Sequence, residues 1–116
     1  MSCIFFDKEH HNEMRAVRDS MDVLNGKWKI PIISSICFYN KRRFSDILSD
    51  IEGISNKMLS KELKELEINK LITRTVLETQ PVTVQYQLTQ HGHTLRTIID
   101  NLKDWGVKHR EEIIKN

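Results

Sequence analysis

Residues 53–67 read GISNKMLSKELKELE. Leu59, Leu63 and Leu66 sit at i, i+4 and i+7, so they share one side of a helix. Asn56, Lys57, Ser60, Lys61 and Lys64 are left on the opposite side. Asparagine matches the edge of adenine, lysine matches guanine or a phosphate, and serine accepts either role. Ser55 precedes the helix, where its hydroxyl and the free backbone N–H groups can meet a phosphate. For an isolated amphipathic helix, a merely solvated polar face is the commoner meaning. The surrounding elements therefore decide.

Other residues that could do chemistry are fewer. KRRF at 41–44 offers Lys41, Arg42 and Arg43 to phosphates, with Phe44 as an apolar anchor; such contacts set affinity and carry no sequence information. The alternative is a charged surface loop. His10-His11 and His91-x-His93 supply imidazoles, but neighbours at i, i+1 and i, i+2 do not share a helix face. No acidic or thiol partner completes a ligand set, so no metal and no cofactor is expected. Cys37 lies in an apolar run and reads as an inert buried thiol. With Cys3 it forms no CxxC pattern, which suits a reducing cytoplasm. No GxSxG, HExxH or P-loop occurs, so no enzyme and no catalytic residue is expected.

The elements that must hold the polar face follow from period and punctuation. Met14, Val17, Met21, Leu24 and Trp28 step by three and four, an apolar stripe on a first helix that Gly26 ends. A second helix follows near KWKIPIISSICFY, with Pro31 in its first turn. Ser45 is the expected N-cap of a short helix over 45–51, with Asp46 in its first turn and Ile47, Leu48 and Ile51 inward. Glu52-Gly53-Ile54 breaks the chain for three residues. Ser55 then caps the helix to residue 68, and Ile54 staples against Leu59. Two helices joined by so short a turn make a helix-turn-helix. After Lys70 the period becomes two. LITRTVLE and TVQYQL read as strands, joined at a tip around Pro81. Thr89 caps a long last helix with Leu95, Ile98, Ile99, Leu102, Trp105, His109 and Ile113 on one broad face. The order of helices followed by a hairpin and a helix predicts a mainly α, α+β winged helix-turn-helix.

Composition agrees with one domain over residues 1–116. Hydrophobic residues make up 39% and charged residues 29%, a globular mixture with enough apolar side chains for one core. No apolar run approaches the roughly 20 residues of a membrane span, and the first residues do not read as a signal peptide. Between Lys27 and Arg74 there are ten Lys/Arg against six Asp/Glu, while the rest holds eight against ten. The basic middle suits a polyanion. Trp28 reads as a packing residue. The stripe Met14-Val17-Met21 and the face Leu95, Ile98, Ile99, Leu102, Trp105 exceed what one small core needs. We expect helices 14–25 and 89–114 to form a homodimer interface, with Phe5 and Phe6 joining it; the alternative is that they pack on each other.

Gly-Lys-Trp at 26–28, Arg-Phe at 43–44, Gly-Ile-Ser-x-Lys-Met-Leu at 53–59 and Leu-Thr-x-x-Gly at 88–92 stand in the order found in HxlR-type winged-helix regulators. The resemblance spans about residues 14–110. It implies a cytoplasmic dimer that binds double-stranded operator DNA and usually represses, sometimes activates, a neighbouring gene. The DNA contacts would be Arg42, Arg43, Ser55, Asn56, Lys57, Ser60, Lys61, Lys64 and Arg74, with 45–68 as the helix-turn-helix and 71–88 as the wing. Two positions depart. Many members sense oxidants through a cysteine thirteen residues before the tryptophan, and Arg15 occupies that position here. Val82 and Thr83 stand where the wing often carries a cation, which leaves Arg74 as its clearest charge. The inducing signal is unassigned. The rival reading is a winged helix that binds another polypeptide through the same face.

Overall fold

A computed structural model describes residues 7–115. The chain runs α1 (Asp7–Val23), α2 (Lys29–Tyr39), β1 (Lys41–Arg43), α3 (Phe44–Asp50), α4 (Asn56–Ile68), β2 (Ile72–Leu77), β3 (Thr83–Leu88), α5 (Gln90–His93) and α6 (Arg96–Ile114). Cys3, Phe5 and Phe6 lie outside the described residues.

The core gathers around α2. Ile32, Ile33 and Ile36 are all fully buried and fall within about 100° of one another on the 3.6-residue period. That side of the helix is covered by α3, α4 and the sheet, while Pro31 and Phe38 stay exposed on the other. Ile47 and Ile51 close it from α3, Leu59, Leu63 and Leu66 from α4, and Ile72, Tyr86 and Leu88 from the hairpin. Cys37 is half-buried at the edge of this cluster, not deep within it.

The turn between α3 and α4 is longer than the expected three residues, covering 51–55. Gly53 takes φ +87° there, a left-handed conformation that glycine adopts without penalty. Ile54 and Leu59 are both buried, as a staple requires. The Ser55 hydroxyl accepts a hydrogen bond from the Met58 N–H at 3.0 Å, which satisfies one of the unpaired donors of the first turn.

Several elements differ from the sequence expectation. The first helix, expected over 14–25, starts at Asp7 and ends at Val23. The N-cap of the helix expected over 45–51 moves two residues back, from Ser45 to Arg43, an extended residue whose side chain makes no cap bond; Ser45 sits inside. KRR, for which a loop is the alternative reading from sequence, is an edge strand. β1 pairs antiparallel with β3, Arg42 opposite Tyr86, and β3 pairs with β2, giving the order β1-β3-β2. The expected single last helix is two. Thr89 Oγ1 accepts from Gly92 N–H at 2.9 Å and donates to the Lys70 carbonyl at 2.7 Å. The cap thus serves only the short α5, tied to the strand entrance, before the chain turns into α6.

The terminal helices project. Met14, Val17 and Met21 of α1 and Ile98, Leu102 and Trp105 of α6 are exposed, and Trp105 remains 64% accessible with His109 stacked on it. Packing of the two helices on each other does not cover them. Leu95, expected on that open face, belongs to the core instead at 9% exposure, and Ile99 is partly buried against the same cluster. The radius of gyration is 17.1 Å, against about 13 Å for a compact domain of this length. Among the described residues no helix is long and apolar enough to cross a membrane.

Candidate nucleic-acid interface

The second helix of the helix-turn-helix is α4, and its two sides are cleanly divided. Leu59, Leu63 and Leu66 are buried, while Asn56, Lys57, Ser60, Lys61 and Lys64 are exposed together with Ser55 at the cap. The exposed side carries Lys57 and Lys61 and no carboxylate in its first two turns, with Lys64 in the third. A groove of about 530 Å³ runs between α4 and the hairpin, lined by Ser60, Lys64 and Glu67 on one wall and Arg74 and Tyr86 on the other. The fold therefore brings Lys64 and Arg74 to the same groove, and Glu67 sets one acid beside them. The hairpin tip, residues 78–82, carries no cation.

The two arginines of the KRR strand separate. Arg42 donates to Asp50 at 2.5 Å, lies 3.6 Å above the Tyr39 ring, and its side chain is 16% exposed. Its Nε is buried and finds no acceptor among the described residues. Asp50 also accepts from the Ser35 hydroxyl at 2.7 Å. Its carboxyl is held below the ordinary 3.8 by the Arg42 guanidinium and then by Ser35. Arg42 thus ties β1 to the end of α3, and its charge is already matched. This differs from the free phosphate contact expected from sequence, because the short strand turns the side chain inward. Arg43 is 56% exposed and pairs with Asp46 at 3.0 Å, which lowers the Asp46 pKa. An exposed pair of this kind is worth at most about 1 kcal/mol, so Arg43 can exchange its partner for a phosphate.

The buried side of α4 holds one arrangement that sequence reasoning passed over. Lys29, at the start of α2, is 2% exposed and reaches Glu62 and Glu65 on α4, the latter at 2.5 Å. It also donates to Asn25 Oδ1 at 3.0 Å. Burial opposes its charge, but the hydrogen bonds it donates to Glu62 and Glu65 outweigh that and hold its pKa above the ordinary 10.5. Glu65 is correspondingly lowered by Lys29. A lysine and glutamates more than thirty residues apart look like independent surface charges in a sequence. The available sign was that Glu62, one residue before Leu63, lies partly on the leucine side of the helix. Trp28 precedes Lys29, half-buried against the core with Lys27 above its ring at 4.6 Å.

A helix-turn-helix with a cationic second helix, followed by a wing, defines a DNA-binding transcriptional regulator. The sequence profile of the HxlR-like helix-turn-helix family matches residues 23–114, and the chain belongs to that family. It is similar to YdeP of Bacillus subtilis (strain 168), an uncharacterized HTH-type transcriptional regulator. The two are 35% identical over 99 residues, spanning 85% of this chain and 77% of the relative. Among solved structures it resembles a putative MarR-family regulator from Porphyromonas gingivalis W83, with TM-score 0.73 and 38% identity over 78% of this chain and 88% of that one. It also resembles the redox regulator HypR in its oxidized form, with TM-score 0.74 and 33% identity over 80% and 95%.

Proposed function

We propose that the chain represses transcription as a homodimer on a palindromic operator, with α4 of each protomer in a major groove. The observation that carries this reading is the division of α4, whose leucines are buried while Asn56, Lys57, Ser60 and Lys61 face outward. The start of a recognition helix is the part that meets base edges. Asn56 and Lys57 are the proposed readers, with Ser60 and Lys61 beside them. Ser55, Lys64, Arg43 and Arg74 are the proposed phosphate contacts; Arg42 is left out because it is occupied by Asp50. The exposed apolar faces of α1 and α6 support pairing of two copies. Two-fold symmetry would set half-site centres about 34–36 Å apart. Arg15 at the family's sensor position argues against the usual thiol as the inducing switch.

The test is a salt-dependent binding titration on genomic DNA beside the gene. Wild type should lose affinity linearly in log salt, with a slope near 0.9 per phosphate neutralised. Lys57→Ala should cost about 1–3 kcal/mol on the operator and relax one position of the site. Lys64→Ala should weaken all duplexes alike and reduce the slope by about one. A shallow slope, with Lys57→Ala indistinguishable from wild type, would move the function to the rival class, a winged helix that binds protein.

A further inference from the structure

We infer that Lys29 is a positioning residue for DNA reading: by gripping Glu62 and Glu65 it sets the rotation and axial height of α4. The inference rests on the proposed role of α4 and adds the part that aims it. Three leucines hold the helix to the core, but apolar burial is non-directional. A leucine seam alone tolerates a small slide or roll at little cost. Hydrogen bonds lose strength steeply with distance and angle, so a charge-assisted contact at two points is a directional constraint.

The geometry suits that task. Glu62 and Glu65 are i, i+3 neighbours on one edge of α4 and meet a single ammonium. Two anchors three residues apart resist both roll and translation. Lys29 is itself held, since it is buried in the first turn of α2 and its third hydrogen bond goes to Asn25 in the turn after α1. Asn56, Lys57, Ser60 and Lys61 lie on the exposed side of the same helix. A roll of α4 would therefore carry every reading atom sideways while leaving its charge near the phosphates. The grip should act on discrimination between sequences more than on general attraction to DNA.

Truncating one partner of a buried pair is costly, whereas replacing both by apolar residues can be neutral. This separates positioning from stability. Lys29→Met should lower the thermal midpoint, and Lys29→Met with Glu62→Leu should bring it back near wild type. Both should reduce the ratio of operator to scrambled-duplex affinity about tenfold, roughly 1.4 kcal/mol, with scrambled-duplex affinity within about twofold. Glu65→Gln removes half of the grip at a half-exposed site, so it folds even if the buried variants do not. It should reduce the ratio about threefold, a smaller share of the same effect. Hydrogen exchange of the α4 amides, measured without DNA, should quicken in all three. A double variant that keeps the wild-type ratio, or a Glu65→Gln variant with unchanged ratio and unchanged α4 exchange, overturns the inference. If wild type itself shows no operator preference, the DNA-reading role fails, and α4 exchange alone judges whether Lys29 holds the helix.

Discussion

At the scale of single residues, the chain places its polar groups in two kinds of setting. The cations of the outer α4 face are exposed, so they are available to a ligand. Lys29 and Arg42 are enclosed and matched, so they serve the fold. The second pair has a pH signature. Asp50 and Glu65 titrate below their ordinary values; their contribution is present above those values and lost as pH falls through the depressed ones. Lys29 titrates above 10.5; its contribution is complete below that value and lost as pH rises through the folded one. Thermal midpoints should therefore be level with respect to these groups from about pH 5 to 10 and fall on both sides. Arg42→Ala should flatten the acid side by releasing Asp50 and cost about 1 kcal/mol at neutral pH. Chemical denaturation at pH 3 and pH 7 reads both effects. Gly92 gives a steric prediction. A Cβ there would stand 2.1 Å from the Leu71 carbonyl oxygen, so Gly92→Ala should destabilise by about 2–4 kcal/mol as the α5 turn is forced off the strand entrance. A midpoint unchanged within a degree would contradict that packing.

At the scale of elements, caps and periods in the sequence were reliable where contacts are local. Ser55 caps α4 through Met58, three residues on, and the leucines of α4 lie inward because i, i+4, i+7 spacing permits little else. Ser55→Ala should cost about 1 kcal/mol, the usual worth of such a cap, and Leu63→Ala about 2–5 kcal/mol, from lost burial and the cavity left behind. Urea titration orders the two. Ser45 and Thr89 show where local signals mislead. Ser45 is a good capping residue, yet pairing of β1 with β3 draws the chain so that Arg43 takes the cap position. Thr89 does cap a helix, but the Lys70 and Leu71 carbonyls also claim its hydroxyl. That tie to the strand entrance goes with a break before α6. The KRR strand had no sequence signal, since three charged residues do not alternate and their pairing partner lies some forty residues away.

At the scale of the molecule, the projecting helices dominate. An elongated chain with Met14, Val17, Met21, Ile98, Leu102 and Trp105 in the open has an exposed apolar area that single copies of small proteins seldom leave uncovered. If two copies cover it, Ile98→Glu with Leu102→Glu should shift the mass measured by sedimentation to a single chain. Operator affinity should then fall well over tenfold, because each half-site is bound separately. A persisting dimer would locate the interface elsewhere.

The sequence by itself determined the main helices, the hairpin and the function class. Helix and strand periods, the Ser55 cap, the turn at Gly53 and the cationic side of α4 all depend on neighbours within a few residues, and such neighbours are visible in a string. The family motifs follow the same order, and they brought the DNA-binding reading with them. Only the tertiary structure decided which charges are free. Lys29 and Lys57 are the same residue type a helix apart, and Arg42 and Arg43 are adjacent. Their roles divide because long-range packing encloses Lys29 against α4 and turns Arg42 under Tyr39. The energy of a charge depends on what surrounds it in space, and that environment is assembled from residues far apart along the chain.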